Sequence, residues 1–325
     1  MESLDSIQLE EIYEARDRIS SLIVRTPLIR LDVEDTPAEI YLKLENLQRV
    51  GSFKPRGAIN VLSTVSKRQL EKGVYTASSG NMALALAWYS RQLGISCSSV
   101  VRETTPDAKL NPIRQYGGKA VKVSDEEWWQ VIISHKSERL DGYFIHPVCN
   151  PAVIAGHGTI GLEILEDLPE VDAVIMPYGG GGLSSGISTA IRALKPGTKC
   201  YACEVETAAP VAAALAAGEP REIKRRPNPL GCVGAKSVLP SMWPLVSKLL
   251  DDSLVVTIDE VAEALRLLIE HNHVVAEGSG AMPVAAALTG KAGSGKVVCV
   301  VSGGNIDTDQ LVQLLSGKIP ETSKN

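Results

Sequence analysis

The fold class this sequence predicts is α/β, with two domains built on mainly parallel twisted sheets flanked by helices. Three observations carry it. Strand-like runs and helix-length segments take turns along the chain, the order that crossover helices between parallel strands produce. The length is 325 residues, and at about 150 residues per domain that is two domains. Small-residue turns close three of the strand-like runs, and folds of this class bind ligands at the C-terminal ends of strands.

The elements follow in order. Ile12, Ala15, Ile19 and Leu22 share one helix face. Arg25-Thr26-Pro27 stops that helix. Tyr41–Glu45 alternates like a strand. Further strand-like runs are Val74–Ser78, Ser96–Val101, Ala120–Val123, Tyr143–His146, Ala173–Pro177, Cys200–Val205, Leu254–Ile258 and Val297–Ser302. Helix-length segments between them include Ala83–Leu93, Ile160–Leu165 and Val261–His271. No short-period repeat and no linker is visible, so the two domains are expected to interleave.

Composition excludes several classes. Hydrophobic residues make 44% and charged residues 22%, the balance of an ordinary globular chain rather than a disordered one. The longest apolar stretch, Pro210–Ala217, is far short of the roughly 18 residues of a membrane span. The acidic Met1-Glu2-Ser3-Leu4-Asp5 start lacks an apolar core and does not read as a signal peptide. A cytoplasmic, reducing compartment is therefore expected. Net charge is −5, and the densest basic cluster, Lys224-Arg225-Arg226, sits beside prolines as a solvated loop. Neither nucleic acid nor membrane is expected as a partner. Cys200 and Cys203 spell C-x-x-C, but three residues apart on a strand they face opposite ways. No second pair completes a zinc site.

The three turns are Ser78-Ser79-Gly80-Asn81, Gly179-Gly180-Gly181-Gly182 and Ser302-Gly303-Gly304-Asn305. Each leaves backbone N–H groups free to hold an anion. Two other motifs mislead. Gly290 to Lys296 has P-loop spacing, but Val297 stands where Ser or Thr would reach the metal, and a strand follows instead of a helix. Gly182-Leu183-Ser184-Ser185-Gly186 fits G-x-S-x-G, with Asp251 or Asp252 and then His271 or His273 in hydrolase order. A serine hydrolase using Ser184 is the alternative from a different class.

Gly51-Ser52-Phe53-Lys54-Pro55-Arg56-Gly57-Ala58 puts one lysine before a proline, at a helix mouth among glycines. A desolvated lysine amine there forms a Schiff base with a carbonyl. This motif, Ser78 to Asn81, the tetraglycine loop and Ser302 to Asn305, in that order, resemble the fold-type II pyridoxal-phosphate enzymes. Their fold is the tryptophan synthase β type. The similarity is greatest to the serine/threonine dehydratase and serine racemase group. It runs from about Thr26 to Asp307 and includes Val153-Ile154-Ala155-Gly156-His157-Gly158-Thr159.

The resemblance implies roles. Lys54 binds pyridoxal 5'-phosphate and acts as base at the substrate Cα. Gly179, Gly180, Gly181 and Gly182, with Leu183, cradle the phosphate. Asn81 hydrogen-bonds the pyridoxal hydroxyl, Phe53 packs near the ring, and Ser302 faces the pyridine nitrogen. Ser78, Ser79, Gly80 and Asn81 bind the substrate carboxylate, and Ser79 matches the second base of racemases. A mono- or divalent cation is implied at Glu204 and the carbonyl of Ala208, although Pro210 stands where racemases have Asp. The expected reaction is β-elimination from a 3-hydroxy amino acid to a 2-oxo acid and ammonia. Racemisation is the alternative with the same cofactor. Departures at Met82, Val148, Cys149, His157 and Tyr178 point to a substrate-binding pocket that includes Met82 and His157. The expected substrate is serine- or threonine-like, or one bulkier such as phenylserine, or a carboxylated one paired with His157. The expected domains are residues 1–72 with 147–325, which bind the cofactor, and residues 73–146, which close on the substrate. A homodimer is expected.

Overall fold

The computed structural model describes residues 4 and 6–320. Helix α1 (Leu9–Ile19) buries Ile12, Ala15 and Ile19. Strands β1 (Leu28–Arg30) and β2 (Glu39–Lys43) pair antiparallel. Helices α2 (Lys54–Thr64) and α3 (Lys67–Leu70) lead to β3 (Val74–Thr76). Then come α4 (Asn81–Leu93), β4 (Cys97–Arg102), α5 (Asp107–Gln115), β5 (Lys119–Val123), α6 (Asp125–Ser134) and β6 (Tyr143–Phe144). Next are α7 (Pro151–Asp167), β7 (Ala173–Pro177), α8 (Gly182–Leu194), β8 (Lys199–Val205) and α9 (Pro210–Ala217). The chain ends with α10 (Trp243–Leu249), β9 (Asp252–Val256), α11 (Ile258–Asn272), α12 (Gly278–Leu288), β10 (Lys296–Val300) and α13 (Thr308–Leu315).

Two sheets result. One runs β1-β2-β10-β7-β8-β9, and the other runs β5-β4-β3-β6. Every pair except β1 with β2 is parallel. The edge strand β1 was not expected, because three residues carry too little alternation to register.

Strand ends also move for local reasons. Leu254–Ile258 stops at Val256 because Thr257 caps α11, its hydroxyl accepting from the Glu260 N–H at 3.1 Å. Tyr143–His146 stops at Phe144. His146 Nδ1 turns back to accept the N–H groups of Val148 and Cys149 at 3.0 and 2.8 Å. Cys200 and Cys203 lie in different core clusters on opposite faces of β8, and all six cysteines are free and buried.

Helix α7 runs between α2 and α8 at close range. A Cβ at Gly156 would meet the Arg56 backbone, and one at Gly186 would meet the Ile154 carbonyl. Glycine at both positions thus draws the helix that starts at Lys54 towards the helix that starts at the tetraglycine loop. One face of the four-stranded sheet is covered by α4 together with Ala58, Ile59 and Leu62 of α2. Among the described residues no helix is long and apolar enough to cross a membrane.

Candidate active site

Lys54 is the first residue of α2, with Pro55 after it and no side-chain cap before it. Its ammonium donates to the Pro147 carbonyl at 3.1 Å and lies 4.8 Å over the Phe53 ring. Among the described residues no carboxylate faces it, so burial lowers its pKa to about 8. Next to Pro147, Val148 touches the glycine loop. A Cβ on Gly180 would come within 2.6 Å of Val148 Cγ2. One dipeptide therefore spans from the amine to the loop.

That loop leaves β7 and enters α8. Gly181 caps α8 at φ 101°, a conformation that favours glycine. The N–H groups of Gly179, Gly180 and Gly181 have no acceptor among the described residues. The first-turn N–H groups of α8 add to them. This is a cradle of donors with a positive helix end behind it.

Ser302 lies on the other side of Lys54. Its carbonyl accepts the Phe53 N–H at 3.0 Å, and Ser52 bridges Gly303. The Ser78–Asn81 turn follows β3 and opens α4. Ser78 is tied to β4 through the Ser99 hydroxyl, which accepts its N–H at 3.4 Å. The Ser79 hydroxyl makes no hydrogen bond among the described residues. A Cβ on Gly80 would meet nothing within 4 Å, so this turn borders open space. Asn81 Nδ2 donates to Glu277 Oε1 at 3.0 Å, and Asn81 Oδ1 accepts from Asn305 Nδ2 at 2.8 Å. The three glycine- or serine-rich turns thus converge on one cleft beside Lys54.

A family model of pyridoxal-phosphate dependent enzymes matches residues 19–303. L-threonine ammonia-lyase of Thermotoga maritima is 38% identical over 316 residues, covering 95% of this chain and 78% of that protein. The catabolic L-threonine dehydratase of Escherichia coli is 38% identical over 320 residues, covering 95% and 96%. The structure of maize serine racemase matches with a TM-score of 0.86 at 33% identity, covering 96% of this chain and 97% of that one. The chain belongs to the pyridoxal-phosphate dependent enzymes. Within them it falls in the fold-type II serine/threonine dehydratase family, as a lyase of the dehydratase class.

The residues present fit the family's cofactor. The unpaired N–H groups of the tetraglycine loop suit a phosphate, and Lys54 is buried with a weakened hold on its proton. Lys54, Asn81 and Glu277 all retain partial exposure although they lie deep, as residues lining a cleft do.

Several expected site residues fall elsewhere. Met82 is 1% exposed and packs in the core with Ile59 and Leu86. It is the second residue of α4, and its side chain turns inward while Asn81 faces the cleft. His157 is fully buried, in edge contact with Phe53 at 4.7 Å between ring centroids. A Cβ on Gly57 would come within 2.7 Å of its Nε2. Burial first, then the Lys54 charge, hold its pKa well below the usual histidine range. Enclosed and held neutral, its imidazole brings no positive charge to a substrate carboxylate. The Tyr178 ring is likewise enclosed. The pocket expected around Met82 and His157 is corrected accordingly.

Glu204 is also reassigned. Its carboxylate accepts the N–H groups of Val211 and Ala212, each at 2.9 Å, and the Ser253 hydroxyl at 2.7 Å. It caps α9, and the neighbouring Ala208 N–H closes a turn to Val205 at 2.8 Å. Ser184 is 1% exposed and donates to the Gly181 carbonyl at 3.1 Å. His271 and His273 are exposed at the end of α11, and no histidine bonds Ser184 among the described residues. The hydrolase alternative is therefore withdrawn.

Two features escaped the sequence reading. Glu277 is one; its signal is a single acid between Val274-Val275-Ala276 and Gly278-Ser279-Gly280. The other is a buried ionic cluster behind α2. Arg56 bonds Glu45 at 2.8 Å and Glu163 at 2.6 Å, and Lys43 bonds Glu163 at 2.6 Å. Lys43 also donates to the Thr26 carbonyl at 2.7 Å. Two buried cations meet two buried anions there, and Asp167 lies 3.9 Å from Lys43 at the edge.

Proposed function

We propose that this chain converts a 3-hydroxy amino acid, threonine or serine, to the 2-oxo acid and ammonia. The observation that carries this is the buried Lys54 amine set between the Ser302 turn and a tetraglycine loop with unpaired N–H groups. Bound at Lys54, pyridoxal phosphate supplies an electron sink for the pair left at the substrate Cα. The N–H groups of Gly179 to Leu183 hold its phosphate. Ser302 offers a neutral hydroxyl to the pyridine nitrogen, and Asn81 an N–H to the ring oxygen. The Ser78–Asn81 turn, at the N-terminus of α4, holds the substrate carboxylate. Lys54, as a free amine, would take the Cα proton at Nζ. The 3-hydroxyl would then leave as water, its C–O bond breaking as it takes up the proton that Lys54 Nζ holds. The released enamine hydrolyses to the 2-oxo acid and ammonia.

In this reading the segment around β3–β6 closes on the remainder and shuts water out. The active form is a homodimer in the cytoplasm. The case for phenylserine weakens, because Met82 and Tyr178 are enclosed in the core. One observation favours racemisation as a second activity: the unbonded Ser79 hydroxyl beside the cleft.

The test is 2-oxo acid release from L-threonine and L-serine, by wild type and by Lys54→Ala. The variant is expected to lose turnover by several orders of magnitude. Turnover near wild type would overturn the assignment of Lys54.

A further inference from the structure

Asn81 lies in a chain of hydrogen bonds whose direction can be read without ambiguity. It begins at the Val50 carbonyl, which can only accept. The Asn305 atom 2.9 Å from it is therefore the amide nitrogen, Nδ2. The same nitrogen lies 2.8 Å from Asn81, so the Asn81 atom it meets is Oδ1. The Asn81 nitrogen is then turned towards Glu277 Oε1 at 3.0 Å, where a carboxylate accepts. A flipped Asn81 amide would set nitrogen against nitrogen at one end and oxygen against oxygen at the other. Asn81 Nδ2 carries two hydrogens, and Glu277 takes only one.

Four remote segments build this chain, and their backbones leave it little freedom. Val50 sits at φ 52° and Gly51 at φ 73°, in the turn just before Phe53 and Lys54. The Gly304 N–H donates to the Gly51 carbonyl, and the Glu277 N–H to the Gly303 carbonyl, each at 2.9 Å. A Cβ on Gly303 would come within 2.8 Å of Glu277 Oε1 and 3.2 Å of Asn81 Nδ2. Glycine at that place makes room for the Glu277–Asn81 contact.

We infer that Glu277 and Asn305 are positioning residues that lock the Asn81 amide, so that its second N–H points at the ring oxygen of bound pyridoxal phosphate. The inference rests on the function proposed above and adds two residues to it. Burial raises the Glu277 pKa to about 7, against the pull of the Asn81 hydrogen bond and the Lys109 charge, and in either protonation state one carboxyl oxygen still accepts from Asn81.

The test is cofactor affinity, read by titrating apoprotein with pyridoxal phosphate and following its visible band. Glu277→Leu removes the acceptor, while Glu277→Gln keeps one without the charge. Asn305→Asp, at an exposed position, swaps the donor for an acceptor and calls for a flipped Asn81. The affinity is expected to fall about tenfold in Glu277→Leu and Asn305→Asp and to stay within about twofold in Glu277→Gln, as for one hydrogen bond. The band is expected to shift in the first two only. Wild-type affinity in Asn305→Asp, or a Gln variant as weak as Leu, would overturn the lock. Should Glu277→Leu fail to fold, Asn305→Asp decides alone. Lys54→Ala separates the two readings. If it loses the visible band while Asn305→Asp binds as wild type, only the lock fails. If it keeps the band, the proposed role of Lys54 fails as well.

Discussion

At the scale of single residues, Lys54 is set apart from the other lysines by what does not surround it. Among the described residues no carboxylate offsets its burial, which lowers its pKa from 10.5 to about 8. Only the neutral amine attacks a carbonyl. Cofactor capture by apoprotein should therefore speed up as pH rises through about 8 and level off above it. Stopped-flow absorbance after mixing with pyridoxal phosphate checks this, and a rate flat from pH 7 to 9 would contradict it. Ser79 separates two chemistries. Elimination needs one base, at Lys54, whereas racemisation needs a second base on the opposite face of Cα. In Ser79→Ala, L-to-D exchange should collapse while 2-oxo acid release stays measurable. Chiral chromatography alongside a 2-oxo acid assay reads both, and undiminished exchange would remove Ser79 from the role of second base.

At the scale of elements, α2 is placed by its charged underside as much as by its apolar residues. Arg56 follows Lys54 by two positions, is fully buried, and ties Glu45 to Glu163. Desolvation opposes its charge, yet the two carboxylates outweigh it and raise its pKa. Arg56→Leu would strand both anions, and breaking a buried pair costs about 3–5 kcal/mol. Arg16 makes an exposed pair with Glu166 at 3.2 Å, and Arg16→Ala should cost under about 1 kcal/mol. Urea unfolding of the two variants measures the contrast, and equal losses would mean that the buried cluster does not anchor α2. Desolvation also opposes ionised Glu163, but Arg56 and Lys43 hold its pKa below the ordinary 4.5. Its stabilisation is therefore present above that value and lost as pH falls below it. This cluster was invisible in the sequence because Glu163 lies 107 residues from Arg56 and 120 from Lys43, and each member looks like a surface charge. The glycine and serine turns were legible, since they need small residues in fixed order at strand ends. Met82 and His157 were misread for one reason. A motif fixes the position of a residue in an element, but whether its side chain faces cleft or core depends on packing against α2 and α4.

At the scale of the whole molecule, the parallel architecture was legible because strand and helix alternate, whereas the contacts between the two sheets' surroundings were not. Leu239 shows why. It lies in the irregular segment between α9 and α10, where no periodicity marks it. Its side chain packs against the core that holds Tyr178 and Met242 and also against the cluster of Tyr75, Val100 and Ile132 formed by the four-stranded sheet and α6. One partly buried leucine therefore touches both halves of the proposed closing motion. Opening must break part of that contact, and closing restores it. Trimming it should favour the open form, because truncating a leucine removes burial worth about 1.5–3 kcal/mol when complete. Leu239 is only partly buried, so about 1 kcal/mol, or roughly fivefold, is the expected shift in the closing equilibrium. A smaller closed fraction weakens apparent substrate binding in proportion. Leu239→Ala should then raise KM for threonine several-fold and leave kcat nearly unchanged, since no group at Lys54 moves. Amide exchange in β3 and β4 should quicken in the substrate-free enzyme. A fall in kcat at constant KM, with exchange unaltered, would show that Leu239 supports the cleft rather than its closing.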